Sequence, residues 1–101
     1  MIRIVKLTFT PETLPLFLAH FESVKDIVNN FPGCNGMQML QDIHQPEICF
    51  TYSNWNAEQD LENYRVSEQF KSIWSTIKPW FGARAEAWSV EPQFDGFALK
   101  Q

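Results

Sequence analysis

Apolar positions along the chain switch period at a few definite points, and each switch predicts an element boundary. From Ile2 to Phe9 the chain is rich in β-branched residues, with apolar side chains on both faces, as in a strand lying inside a covered sheet. Thr10-Pro11-Glu12 reads as a helix start, with Thr as N-cap and Pro at the first helical position; Pro15 is expected to delay the regular helix by a turn. Leu14, Phe17, Leu18, Phe21, Val24, Val28 and Phe31 then recur at three- and four-residue steps, one stripe along a helix that Pro32-Gly33 stops. Cys34 to Ile43 predicts a second strand, with Met37, Met39 and Gln41 on one face and Gly36, Gln38, Leu40 and Asp42 on the other. His44-Gln45-Pro46 is turn chemistry. Glu47 to Trp55 follows as a third strand, where Phe50, Tyr52 and Asn54 alternate with Thr51, Ser53 and Trp55.

At Trp55 the period changes again. Asn56 followed by Gln59 reads as a helix cap with its reciprocal partner, opening a short helix to Val66 with Leu61 and Tyr64 facing inward. Ser67 caps a continuation in which Phe70, Ile73, Trp74, Ile77 and Phe81 share a face, loosened by Pro79 and ended by Gly82. Ala83 to Glu91 predicts a fourth strand, with Ala83, Ala85, Ala87 and Ser89 small on one side and Arg84, Glu86, Trp88 and Val90 on the other.

The order β-α-β-β-α-β, with its second helix broken in two, is the ferredoxin-like split βαβ arrangement: an α+β fold whose four-stranded antiparallel sheet carries helices on one face. The bare face is assigned Ile2, Ile4, Met37, Met39, Trp88 and Val90, too apolar to stand in water. A second copy of the chain is its expected cover, which makes a homodimer and a dimeric α+β barrel. Residues 1–91 form the domain. The tail over 92–101 carries Phe94, Phe97 and Leu99 and is expected to dock on its own subunit or its partner.

Composition narrows the function. A chain of 101 residues makes one domain and can bury roughly 65% of its unfolded surface without a metal or disulfide. Nine Phe, four Trp and two Tyr are many aromatics for this length, which points to an apolar cavity, a subunit interface or both. The net charge of −4 and the scattered Lys and Arg give no footprint for nucleic acid. No apolar run is long enough for a membrane span and no secretory signal opens the chain, so a cytoplasmic location is expected. Cys34 and Cys49 have neither metal-ligand spacing nor a neighbouring His, and are expected as reduced thiols. His20 and His44 read as surface residues, and Arg84 as the partner of Glu86 or Glu91. The histidines and acids form no metal-ligand pattern.

A bulky indole at a strand-to-helix junction can wall one end of an internal cavity, and Trp55 stands at such a junction. Phe31-Pro32-Gly33-Cys34, then Tyr52-Ser53-Asn54-Trp55-Asn56-Ala57-Glu58, then Ser67-Glu68-Gln69-Phe70, in this order and spacing, resembles the antibiotic biosynthesis monooxygenase domain family. Ala85-Glu86-Ala87-Trp88-Ser89-Val90 fits that family's last strand, so the resemblance spans residues 2–91. It implies a homodimeric α+β barrel in which two four-stranded sheets face each other. Characterised members oxidise phenolic, quinol or polyketide substrates with molecular oxygen, several without metal or flavin, in an apolar cavity between sheet and helices.

The resemblance implies roles for particular residues. Trp55 matches the family's tryptophan at the end of the third strand. Tyr64 and Gln69 stand where many members carry histidines, and Thr51 and Leu61 where phenol-oxygenating members carry an amide and a tyrosine. Tyr64 and Asn54 are then the candidate catalytic hydrogen-bonding groups, and Trp55, Trp74, Leu61, Thr51 and Phe70 the candidate substrate contacts, with no metal and no cofactor. A haem-degrading branch uses an Asn on the first strand and a Trp and His on the second helical segment. Here the helical positions are Tyr64 and Trp74, leaving no axial ligand for iron. The implied activity is cofactor-independent oxygenation of a small aromatic or quinol compound. Two alternatives stay open: a non-catalytic dimeric small-molecule binder, which the missing histidines favour, and an isomerase or lyase on the same fold.

Overall fold

In the computed structural model, which describes residues 1–100, the elements follow the expected order: β1 (Ile2–Thr8), α1 (Leu14–Asn29), β2 (Cys34–Gln41), β3 (Ile48–Trp55), α2 (Glu58–Arg65), α3 (Glu68–Ile77) and β4 (Glu86–Val90). The strands pair antiparallel in the order β2-β3-β1-β4, the ferredoxin-like α+β topology. β1 is an inner strand, as its two apolar faces require.

Register sorts the side chains. Arg3, Ser53 and Ser89 lie opposite one another, as do Val5, Thr51 and Ala87, and these rows face the helices. The intervening rows, Ile2 with Asn54 and Val90, and Ile4 with Tyr52 and Trp88, face away. Simple alternation fails in β2. Met37 and Met39 pair with Ser53 and Thr51, on the helix-covered face and not the bare one. Cys34 pairs with Trp55 and Met37 with Ser53, so β2 holds one extra residue against β3, and this bulge turns every later β2 side chain over. Gly36 sits in the bulge at φ +130°, a conformation open to glycine, and Asn29 Oδ1 accepts the Met37 backbone N–H at 2.9 Å. The open face instead holds Leu40 and Phe50 beside Ile4, Tyr52 and Trp88. Gln41 pairs with Cys49, so the two cysteines stay apart and free.

The helix ends follow local chemistry with two shifts. Pro15 falls in the first turn of α1, which begins at Leu14; Thr10 and Thr13 exchange hydrogen bonds ahead of it, and the Thr13 hydroxyl donates to Trp80 O at 2.7 Å. Ser67 caps α3 as expected, its hydroxyl accepting from Phe70 N at 3.2 Å. Asn56 does not cap α2. Its Oδ1 accepts from Asn35 Nδ2 at 2.7 Å, tying the bulge to the end of β3, and the cap position is Ala57. A single 3₁₀ turn over Lys78–Trp80 follows Pro79's constraint. β4 is shorter than its sequence pattern, because Phe81 bridges Phe9 and Gly82 N donates to Thr8 O at 2.8 Å before the regular pairing starts.

Two apolar clusters hold helices to sheet. Leu7, Phe9, Phe17, Cys49 and Ile77 form one, with Phe9 and Phe17 stacked at 4.2 Å between ring centroids. Trp55, Leu61 and Tyr64 form the other, joined by Phe31 and Phe70. In the tail, Phe94, Phe97 and Leu99 are exposed on the single chain, Phe97 by 83%, and Gln101 lies outside the described residues.

Candidate functional site

Between these two clusters the helices and the sheet fail to close on each other. The space left is a cavity of about 430 Å³, floored by Arg3 and Val5 of β1, Thr51 and Ser53 of β3, and Ala85 and Ala87 at β4. Small residues on that strand explain the gap: a methyl group there leaves volume that a Leu or Phe would fill. α1 contributes Phe21 and Val24, α2 contributes Leu61 and Tyr64, and α3 contributes Phe70 and Trp74.

Trp55 closes one end. It is 1% exposed, and its indole Nε1–H donates to Ser53 Oγ at 2.9 Å, so both polar groups of this buried pair are satisfied. Rings run on from it: Tyr64 stacks on Trp55, Phe70 meets Tyr64 edge-on at 5.2 Å, and Trp74 lies 5.5 Å from Phe70. Burial, with Cys34 adding to it, pushes the Tyr64 phenol up to about 12. At neutral pH it is therefore a hydrogen-bond donor and not a base. No side-chain hydrogen bond within the protein engages that hydroxyl among the described residues.

Six of the seven residues expected at the site line one cavity: Tyr64, Trp55, Trp74, Leu61, Thr51 and Phe70. Asn54 does not. Its place on β3 between Ser53 and Trp55 turns its side chain to the opposite face, where it is exposed beside Ile2 and Val90. Arg84 is also absent from the cavity, and Glu86 pairs across the strands with Lys6 at 3.8 Å. Alternation along the chain was sufficient to separate Asn54 from Trp55.

Arg3, Arg65, His20 and Lys78 also line the cavity, with Ser53 and Glu86, and none of them is an expected site residue. His20 is half-buried, not a surface residue. Its ring lies edge-on to Trp80 at 6.0 Å, and its Nε2 is buried without a hydrogen-bond partner among the described residues. Arg3 had a readable signal, since it is the one charged residue among the helix-facing positions of β1, the others being Val5 and Leu7. Among the described residues no three His, Cys, Asp or Glu side chains gather as a metal site, and no helix is long and apolar enough to cross a membrane.

Comparison with known proteins agrees with this geometry. The model of the family described as antibiotic biosynthesis monooxygenase matches residues 1–74. A conserved protein from Methanosarcina mazei superposes with a TM-score of 0.79 at 25% identity, over 85% of this chain and 86% of its own. A protein from Nitrosomonas europaea superposes with a TM-score of 0.84 at 13% identity, covering 92% and 98%. A crystal structure named antibiotic biosynthesis monooxygenase gives 0.80 at 15% identity, covering 91% and 100%. At identities this low the second and third likenesses speak to the fold alone. No curated protein matches the chain. The family match spans most of the domain, including Trp55, Tyr64 and Trp74, and on that ground the chain belongs to the antibiotic biosynthesis monooxygenase family.

Proposed function

We propose that the chain is a monooxygenase that binds a small aromatic or quinol-type compound in the cavity beneath its helices. The observation that carries this reading is the aromatic-walled cavity of about 430 Å³, with Tyr64 in its lining, in a chain of this family. That volume is within the range of small-molecule sites, roughly 300–1,000 Å³.

The reaction needs few protein groups. An ionised phenol gives one electron to molecular oxygen, the radical pair combines at a ring carbon, and the resulting hydroperoxide loses water. One oxygen atom becomes the new carbonyl; the other leaves as water with the ring hydrogen and the phenolic hydrogen. The product is a quinone and no external reductant is consumed. In this reading Tyr64 donates a hydrogen bond to the developing oxyanion, while Trp55, Phe70, Trp74, Leu61 and Thr51 shape the cavity and hold bulk water away. A donor aimed at developing negative charge in a dry site is the kind of group whose loss costs about 10²-fold in turnover.

The functional unit in this proposal is a homodimer with a cytoplasmic home. Trp88 is 45% exposed on the open sheet face, Val90 is exposed beside it, and Leu40 is exposed on the same face at the opposite edge strand. Such a patch favours association with a second copy, and the exposed Phe94, Phe97 and Leu99 of the tail are suited to complete the contact. The two free cysteines accord with a reducing compartment.

Oxygen-electrode measurements with a panel of naphthols and quinols test the activity. Equimolar uptake of oxygen and substrate is expected, sharply reduced in Tyr64→Phe. Tight binding of the same compounds with no uptake would instead make the chain a small-molecule binder, a reading that Tyr64 and Gln69 favour by standing where many members carry histidines.

A further inference from the structure

We infer that the cavity selects ligands bearing a carboxylate, held by Arg3 on the sheet floor with Arg65 beside it. This rests on the cavity being the substrate site and names the class of substrate it takes.

Arg3 lies on the helix-covered face of β1, in register with Ser53 and Ser89, and its side chain lines the cavity. A guanidinium has five N–H donors. The protein engages it through one hydrogen bond, to Ser89 Oγ at 3.0 Å. No carboxylate among the described residues comes within ion-pair distance of it. Glu62 is near enough to be felt, but Arg65 engages it at 2.8 Å, so two guanidinium groups share one carboxylate. Burial first, and then the Arg65 charge, hold Arg3 below the ordinary arginine range, with Glu62 opposing. A partly buried cation with only a distant share in one carboxylate is left with donors that an anionic ligand can engage.

The chain as a whole opposes anions, with a net charge of −4. An attraction for a carboxylate at this point is therefore local and geometric. The planar fork of Arg3 suits the two oxygens of a carboxylate, and its apolar neighbours Val5 and Leu7 suit an aromatic body. Leu7 is four steps along the strand from Arg3, about 13 Å at 3.3 Å per residue, which accommodates fused rings. The inferred ligand is an aromatic hydroxy acid with its carboxylate at Arg3 and its rings along β1.

Isothermal titration calorimetry under anaerobic conditions tests this with 1-hydroxy-2-naphthoate and its methyl ester. The wild-type chain should bind the acid about tenfold more tightly than the ester or better. Arg3→Gln should abolish that preference while leaving ester affinity in place, which also reports that the cavity is intact. Arg3→Lys should restore the preference only in part, since the ammonium keeps the charge and loses the fork. Equal affinities in the wild type, or an Arg3→Gln variant that weakens both ligands alike, would overturn the inference. Failure of both ligands to bind would overturn it together with the substrate-site reading. Preference for the acid without oxygen uptake would leave it standing and remove the monooxygenase activity alone.

Discussion

The rings of Trp55 and Tyr64 stack with centroids 5.6 Å apart and planes 27° from parallel, although one ends β3 and the other lies on α2. Trp55 is pinned by its hydrogen bond to Ser53, and Tyr64 is wedged between Trp55, Phe31 and Phe70. Packing alone positions the phenol, so its hydroxyl is not spent on holding it. Tyr64→Phe should therefore change stability by less than about 1 kcal/mol while lowering oxygenation about 10²-fold. Trp55→Ala, which empties the centre of the cluster, should cost about 3–5 kcal/mol. Urea denaturation together with oxygen uptake on the two variants checks the contrast, and equal turnover in Tyr64→Phe and wild type would remove the hydroxyl from the mechanism.

Alkaline stability follows from the same burial. The Tyr64 phenol is pushed up from 10 to about 12, and burial pushes the Cys49 thiol up from 9 to about 11. Across these intervals the folded chain keeps protons that the unfolded chain has released, so stability is full below pH 9 and is lost as pH rises through about 11 and 12. The Tyr64 part is on the order of 3 kcal/mol. Denaturation midpoints followed from pH 8 upward should fall less steeply in Tyr64→Phe above pH 10, and less steeply in Cys49→Ala from pH 9. Parallel curves for all three proteins would contradict this.

Two glycines around the start of β2 should respond differently to alanine. Gly33 has φ +89°, and an added methyl would overlap the side chain of Asp60 on α2. Gly36 has φ +130° but faces open space, with Asn29 Oδ1 the nearest atom at 3.9 Å. Gly36→Ala should cost about 1–2 kcal/mol from backbone strain alone, and Gly33→Ala more, because steric overlap adds to it. Thermal melts of the two variants decide the order; a milder Gly33→Ala would mean that α2 moves aside at little cost.

Trp88→Glu probes the proposed pairing of open sheet faces. Trp88 lies at the centre of its strand opposite Ile4, with no helix above it. A charge there should shift a dimer to monomers while leaving the ferredoxin-like fold and its helical circular dichroism intact, because the residue is not part of either core cluster. Sedimentation equilibrium reads the outcome. A wild-type chain that sediments as a monomer would remove the dimer from the proposal.

Much of this architecture is legible in the order of residues because the signals involved are short-range. A stripe such as Phe17, Phe21, Val24 and Val28 faces inward in any helix that contains it, and Ser67 caps α3 through a hydrogen bond three residues away. The β-α-β-β-α-β order rests on such signals, whereas the six expected residues that line the cavity follow from the family resemblance. The β2 bulge is different. It adds one residue relative to β3, and whether a strand carries an extra residue depends on its neighbour's register, so Met37 and Met39 turn to the helix side against their simple alternation. Asn56 likewise finds Asn35 across the fold in place of its own helix.

Local pattern was enough for the kind and sequence of elements, because each element's burial preference is written within a few residues of itself. The cavity and its charges required the folded chain. Arg3, Arg65, His20 and Tyr64 come from three different elements, and they share one space only because sheet register and helix packing hold those elements at fixed distances. An empty volume has no residue of its own; it is the remainder after packing, and packing is a property of the whole chain.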